Sequence, residues 1–360
     1  MSADYTRVRR VGGVLARMSA EARDDEGARA IQAVLRKRGV PLQASGFAEA
    51  LPRDATSRLP LVEEGQWPAT PAFLTEEVGR TTSRFIEDAK NIALLAEKGV
   101  SARLGMLLHG APGTGKSLLA SYVAALLERP IYVVRLDSMI SSRLGETAKN
   151  VRGVFEFMAS REGVLFLDEM DAIAKVRDDK HELGELKRVV NTVLQGLDSL
   201  PDSVVVIGAT NHPHLLDPAI WRRFPYKAEL PLPDLSVRSA MWRHFLYAND
   251  DAREKDVAVL ARISEGLSGA DVENISLAAR RREILDGDAL PFPQLLLSAL
   301  ASRAGNPSLP DRRDLSAPER QKIAVALHKK ANIKVSEIGR IMGVSRQMAH
   351  RYLKEDGNAE

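Results

Sequence analysis

Lys116 and Ser117 close the run Gly110-Ala111-Pro112-Gly113-Thr114-Gly115, and the eight residues fit the pattern G-x-x-x-x-G-K-[ST] at every fixed position. The chemistry that this spacing supports is the binding of a nucleotide's phosphates. Three glycines allow a wrapped backbone whose N–H groups face phosphate oxygens, and a helix beginning near Lys116 adds its positive dipole end. Lys116 is expected to reach the β- and γ-phosphates, and the Ser117 hydroxyl to hold Mg²⁺. Leu118 completes the stretch expected to contact the nucleotide.

Asp168 and Glu169 close the apolar run Val164-Leu165-Phe166-Leu167. One carboxylate that holds Mg²⁺ through water, beside one that activates the attacking water, has this form. Asn211 ends another apolar run, Val204 to Thr210. A glycine-rich turn with no ligand is the plainer reading of residues 110–117, and these two strand ends displace it.

The elements needed to position these groups are legible around them. Leu104 and Met106 to Leu108 predict a buried strand entering the loop, and Leu118 to Leu127 a helix leaving it. Ile131 to Val134 and Pro225 to Leu230 predict two more strands, and Glu182 to Leu200 an amphipathic helix. Strands that each deliver polar groups at their carboxyl ends describe an open α/β sheet with its ligand beyond those ends. The expected class is therefore α/β: a P-loop parallel sheet with flanking helices, a small all-α lid, and helical modules at both ends.

The boundaries follow from breaks in pattern. Residues 1–58 read as a helical N-terminal domain, and the prolines of 59–74 as a linker. The α/β core is expected over 75–233, opening with a helix from Thr75 to Glu97, and the lid over 234–305. A second linker, 306–317, precedes a helix-turn-helix-like module over 318–360, with helices at Glu319–Lys330, Val335–Met342 and Ser345–Lys354. The 360 residues carry 44% hydrophobic and 28% charged residues and no cysteine, which excludes disulfides and thiolate metal sites. No apolar run approaches the roughly 18 residues of a membrane span, so no membrane contact and a cytoplasmic location are expected. Net charge is only +3, and the basic residues cluster towards the two ends.

The loop, the Asp168-Glu169 pair and the Asn211 strand end together resemble an AAA ATPase. Leu216-Asp217-Pro218-Ala219-Ile220-Trp221-Arg222-Arg223-Phe224 is similar to that family's second region of homology, and Leu267-Ser268-Gly269-Ala270-Asp271-Val272 to its Ser-Gly-Ala-Asp segment. The resemblance covers about Thr75 to Ala301. It implies that Asp168 holds Mg²⁺ through water, that Glu169 orients or deprotonates the attacking water, and that Asn211 fixes this water against the γ-phosphate. It implies that adenine and ribose pack against Gly269 and Ala270. Arg222 and Arg223 resemble arginine fingers donated to a neighbouring subunit, which implies a homo-oligomeric ring, a hexamer. In the pore position, where threading members carry an aromatic residue, this chain has Arg143 and Leu144, and Asp198-Ser199-Leu200 replaces Asp-Gly-Phe. Residues 140–147, 183–188 and 218–223 resemble bacterial AAA ATPases found beside subtilisin-like serine proteases. No protease motif lies in this chain, and His212 and His214 read as a loop rather than a metal site.

Two functions compete. The first is an ATP-driven motor that remodels a protein substrate and feeds a separate protease. The alternative is a DNA-acting ATPase or regulator, with Arg346, Gln347, His350 and Arg351 on the groove-facing side of a recognition helix. A partner-docking helical cap is the plainer reading of the same helices. A nucleotide switch without turnover is disfavoured by Glu169 and the two arginines.

Overall fold

The computed structural model describes residues 51–54, 58–100, 104–140, 144–172 and 183–356. The expected N-terminal helices and Arg143 lie outside the described residues. The described residues fall in two compact units. One lies within Met1–Ala72, Val78–Gly110 and Lys116–Glu229, the other within Phe73–Glu77, Ala111–Gly115 and Leu230–Glu360.

The first unit is built on six strands: β1 (Glu63–Gly65), β2 (Gly105–His109), β3 (Ile131–Arg135), β4 (Val164–Asp168), β5 (Val205–Thr210) and β6 (Tyr226–Glu229). Their order across the sheet is β1-β3-β4-β5-β2-β6. All neighbours are parallel except the β1–β3 pair, which is antiparallel. Leu107, Leu108, Leu165 and Phe166 are buried at successive positions, so both faces of the sheet are covered, as a parallel sheet requires. The covering helices are α1 (Glu76–Lys90), α2 (Ile92–Glu97), α3 (Lys116–Leu126), α4 (Leu136–Ile140), α5 (Leu144–Ala159), α6 (Leu183–Ser199) and α7 (Pro218–Trp221). Phe155 and Met158 of α5 and Val193 and Leu197 of α6 share one core with Leu165 and Leu167. The helix expected from Thr75 to Glu97 is interrupted at Asn91, whose side chain donates to the Glu87 carbonyl at 2.8 Å.

The proline-rich stretch expected as a linker over 59–74 contributes to this unit. Glu63 to Gly65 pair with β3, Val62 is fully buried in the core, and Trp67 Nε1 donates to the Arg129 carbonyl at 3.1 Å. Further back, Asp54 is buried and accepts from Asn150. Prolines rule out a helix or a central strand here, but an antiparallel edge strand tolerates them on either side.

The second unit is helical: α8 (Leu235–Phe245), α9 (Glu254–Ile263), α10 (Gly269–Asp286), α11 (Phe292–Ala301), α12 (Ala317–Lys329), α13 (Val335–Met342) and α14 (Arg346–Asp356). Asp234 caps α8, accepting from Val237 N at 2.8 Å. The break expected at 306–317 does not separate two cores. Ile323, Leu327, Ile338 and Tyr352 belong to the same buried cluster as Trp242, Leu260, Val272 and Leu296. Three helices of this length cannot bury enough apolar surface alone, so they borrow a face from the helices before them.

Candidate nucleotide site

In the first unit, β2 delivers the start of the loop and α3 begins with Lys116. Gly110 has φ +147°, a value open to glycine but not to other residues. The Lys116 ammonium donates to the Gly110 carbonyl at 2.8 Å, and the residue is only 8% exposed. Burial lowers its pKa, while Asp168 and then Asp171 pull it back up. The Ser117 hydroxyl donates to Asp168 Oδ2 at 3.2 Å. This juxtaposes the two oxygen ligands expected for Mg²⁺, a hard cation that takes such donors.

Glu169 follows β4 with φ +54°, a left-handed conformation unusual for a glutamate. Its backbone N–H donates to Asp168 Oδ1 at 2.9 Å, and its carbonyl accepts from Ala172 N at 2.9 Å. Burial raises its pKa; the Asp137 carboxyl, which shares a hydrogen bond with it, raises it further, with smaller contributions from Asp168 and Asp171. The backbone turn thus aims a proton acceptor into a cluster of acids.

Asp171 was not singled out by sequence, yet it ties two strand ends together. It is 1% exposed and accepts from Thr210 Oγ1 at 2.9 Å and from Asn211 N at 3.2 Å. Met170 N also donates to the Ala209 carbonyl at 2.9 Å. Asn211 is therefore held in register with Asp168 and Glu169. The repeated acid in Asp168-Glu169-Met170-Asp171 was the available signal. For Asp137, seated just after β3, no local pattern existed.

In the second unit, residues 111–115 form the crest of the loop. Gly113 and Gly115 have φ +76° and +94°, and Thr114 Oγ1 donates to the Ala111 carbonyl at 2.9 Å. The Gly113 carbonyl accepts from Ala270 N at 3.1 Å, and a Cβ at Gly113 would lie 2.6 Å from Ser268 Oγ. Gly269 and Ala270, at the start of α10, are thereby brought against the loop. Pro112 is exposed at its tip, and Leu118 is half-buried.

The two candidate fingers differ. Arg223 pairs with Asp198 at 3.1 Å, donates to the Ala219 carbonyl at 3.2 Å, and has its pKa raised by that partner. Arg222 is exposed. Asp198, in the place of the expected Asp-Gly-Phe, thus holds Arg223. Leu144 is the first residue of α5. His212 and His214 stack edge to face at 5.8 Å beyond β5. No helix among the described residues is long and apolar enough to cross a membrane.

A glycine loop between β2 and α3, a lysine, a hydroxyl against a strand-end carboxylate and a neighbouring glutamate define a P-loop nucleotidase fold. Residues 106–232 match the model of the "ATPase family associated with various cellular activities (AAA)". This part of the chain belongs to the AAA family of ATPases. An AAA family ATPase of Sinorhizobium fredii, y4kL, is 38% identical over 226 residues, covering 60% of this chain and 66% of that one. A proteasome-activating nucleotidase of Aeropyrum pernix is 34% identical over 248 residues, covering 64% and 60%. A crystal structure of the FIGL-1 AAA domain in complex with ADP matches at TM-score 0.51 and 25% identity, covering 63% of this chain and 77% of that one. The chain spans about half to two thirds of the length of the curated relatives it matches.

Proposed function

We propose that this chain hydrolyses ATP and, as a ring of identical subunits, uses the energy to remodel protein, passing it to a separate protease. The observation that carries the turnover is Glu169, strained into position beside Asp168 and raised in pKa by burial and by Asp137. A carboxylate tuned upward is a better proton acceptor for an attacking water. In this reading the loop's N–H groups and Lys116 hold the phosphates. Asn211, fixed through Asp171, orients the water, and Gly269 and Ala270 receive the adenosine end. Ser117 and Asp168 fit Mg²⁺, which when bound neutralises charge on the phosphate oxygens. Arg222 is the finger offered to the next subunit, Arg223 being occupied by Asp198, and the hexamer follows from that donation. Support for a protein substrate comes from the relative named as a proteasome-activating nucleotidase. Leu144 would meet the substrate together with Arg143, and a protease of subtilisin type is the proposed recipient.

The test is turnover by the Glu169→Gln variant with and without an unfolded protein. The amide keeps the shape and loses the base, so ATP binding stays and turnover falls by roughly 10²–10⁴-fold. The wild type is expected to speed up when unfolded protein is added. Near-normal turnover by the variant removes Glu169 from the reaction, and indifference to unfolded protein removes the substrate class.

A further inference from the structure

ATP turnover leaves residues 317–356 without a task, and their surface is specialised. Between 317 and 356 the chain carries nine Lys and Arg against three Glu and one Asp. One of those acids, Glu319, is spoken for: Arg313 grips it with two hydrogen bonds, at 2.6 and 3.0 Å, and Ser316 donates to it as well. These partners hold its carboxyl down at about 2.

The geometry beneath that charge is a helix-turn-helix. α13 ends at Gly343, in the left-handed conformation with φ +62°, and α14 begins three residues later. A Cβ on Gly339 would lie 2.9 Å from the Val344 carbonyl, so glycine is what lets the turn close onto α13. Ser345 Oγ caps α14, accepting from Met348 N at 3.2 Å. Ala349 and Tyr352 anchor α14 in the shared core. Those anchors leave Gln347, His350, Arg351 and Lys354 exposed at i, i+3, i+4 and i+7, one stripe along the outer face, with Arg346 at its amino end.

We propose that this module binds duplex DNA, with α14 in the major groove and Lys330, Lys334 and Arg340 on the phosphates. Arginine and glutamine make paired hydrogen bonds to guanine and adenine edges, and the amino-terminal part of the second helix is where a helix-turn-helix presents such side chains. Lys330, Lys334 and Arg340 are exposed on the same module and would supply the backbone attraction. A protein partner fits less well, because the centres of protein interfaces are depleted in charge and this stripe is polar, with the exposed Met348 alone beside it.

The test uses the full chain, a random library of labelled duplexes, and fluorescence anisotropy at several NaCl concentrations. Selection is expected to enrich one sequence. Arg351→Ala should weaken that sequence by roughly tenfold to a hundredfold and leave unselected duplex little changed. Gln347→Ala, at another exposed position, provides the same reading should the arginine variant fail to fold. Lys330→Ala combined with Lys334→Ala should weaken all duplexes alike and lower the salt slope by about two. The Glu169→Gln chain should bind DNA as the wild type does, so failure of turnover and failure of DNA binding are separable. No enriched sequence, or equal affinity and salt slope in wild type and variants, overturns the proposal. Binding of an acidic protein by the stripe, with no effect of duplex, overturns it equally.

Discussion

The phosphate loop and the C-terminal helices both manage positive charge, and they do so in opposite ways. The loop and the strand end beside it bury one lysine near carboxylates and rely on backbone shape: Gly110, Gly113, Gly115 and, after β4, Glu169 all have positive φ. The helices confine positive φ to their turns, at Asn332 and Gly343, and spread many exposed cations over a surface. A buried, backbone-made site binds one ligand in one pose and tolerates almost no substitution. An exposed, side-chain-made surface gains affinity additively, loses it to salt, and tolerates exchange of one cation for another.

Arg222 is the residue that can break this contrast, because it is an exposed cation assigned to phosphate chemistry. A finger supplied in trans contributes about 10³–10⁵-fold in rate, so Arg222→Ala subunits should bind ATP and turn over at least about a thousandfold more slowly. Mixing them with Lys116→Ala subunits should restore part of the activity, since some interfaces then hold an intact loop from one chain and an arginine from the next. Arg223→Ala, which loses a partly exposed ion pair, is expected to leave folding stability nearly unchanged. Mixed subunits that gain nothing would leave the finger without support.

Lys116 sharpens the contrast from the other side. Lys116→Ala should weaken nucleotide affinity by roughly ten- to a hundredfold in calorimetric titration at constant Mg²⁺, because a charge-assisted contact to phosphate is lost. Lys116→Arg should fail nearly as badly, since a planar guanidinium does not fit the space of an ammonium that is 8% exposed and 2.8 Å from the Gly110 carbonyl. Lys330→Arg, on the open surface, should leave duplex binding within about twofold. Equal tolerance at both positions would dissolve the distinction.

The same physical difference explains what could be read in advance. The loop was legible because phosphate contact through backbone demands glycine at fixed spacing, and β2, β4 and β5 because strands buried on both faces must be continuously apolar. Asp137 had no such constraint and Asp171 only the repeated acid after β4: their places depend on strands β3 and β5 meeting β4, which is a fact of sheet order. The turn of α13 and α14 was visible in Gly343. Its dependence on the helices before it was not, because prolines at 307 and 310 look the same whether they join two cores or fold one chain back upon itself. Likewise β1 hid in a stretch whose prolines signalled only that no helix could form there.

Asp271 is where the two regions communicate within the second unit, and it yields the smallest expected effect. Its carboxylate, 1% exposed, accepts from Ser268 N at 2.9 Å, from Ser268 Oγ at 2.6 Å, and from Gly305 N at 3.1 Å. The first two bonds set the amino end of α10, whose Ala270 N–H reaches the Gly113 carbonyl of the loop. The third pins the turn from which the chain proceeds to α12. Asp271→Ala removes both accepting oxygens, so the buried N–H groups of Ser268 and Gly305 and the Ser268 hydroxyl lose this partner. Such a loss costs about 1–3 kcal/mol. In a domain of this size that corresponds to a fall in melting temperature of about 3–10 °C. Nucleotide affinity should fall less than in Lys116→Ala, because the loop keeps its lysine and glycines and loses only a well-placed neighbour. DNA affinity should also drop slightly, through the loosened turn and not through any contact. A variant that melts with the wild type would show that Gly305 and Ser268 find other acceptors, and the loop and the helices would then be independent of one another.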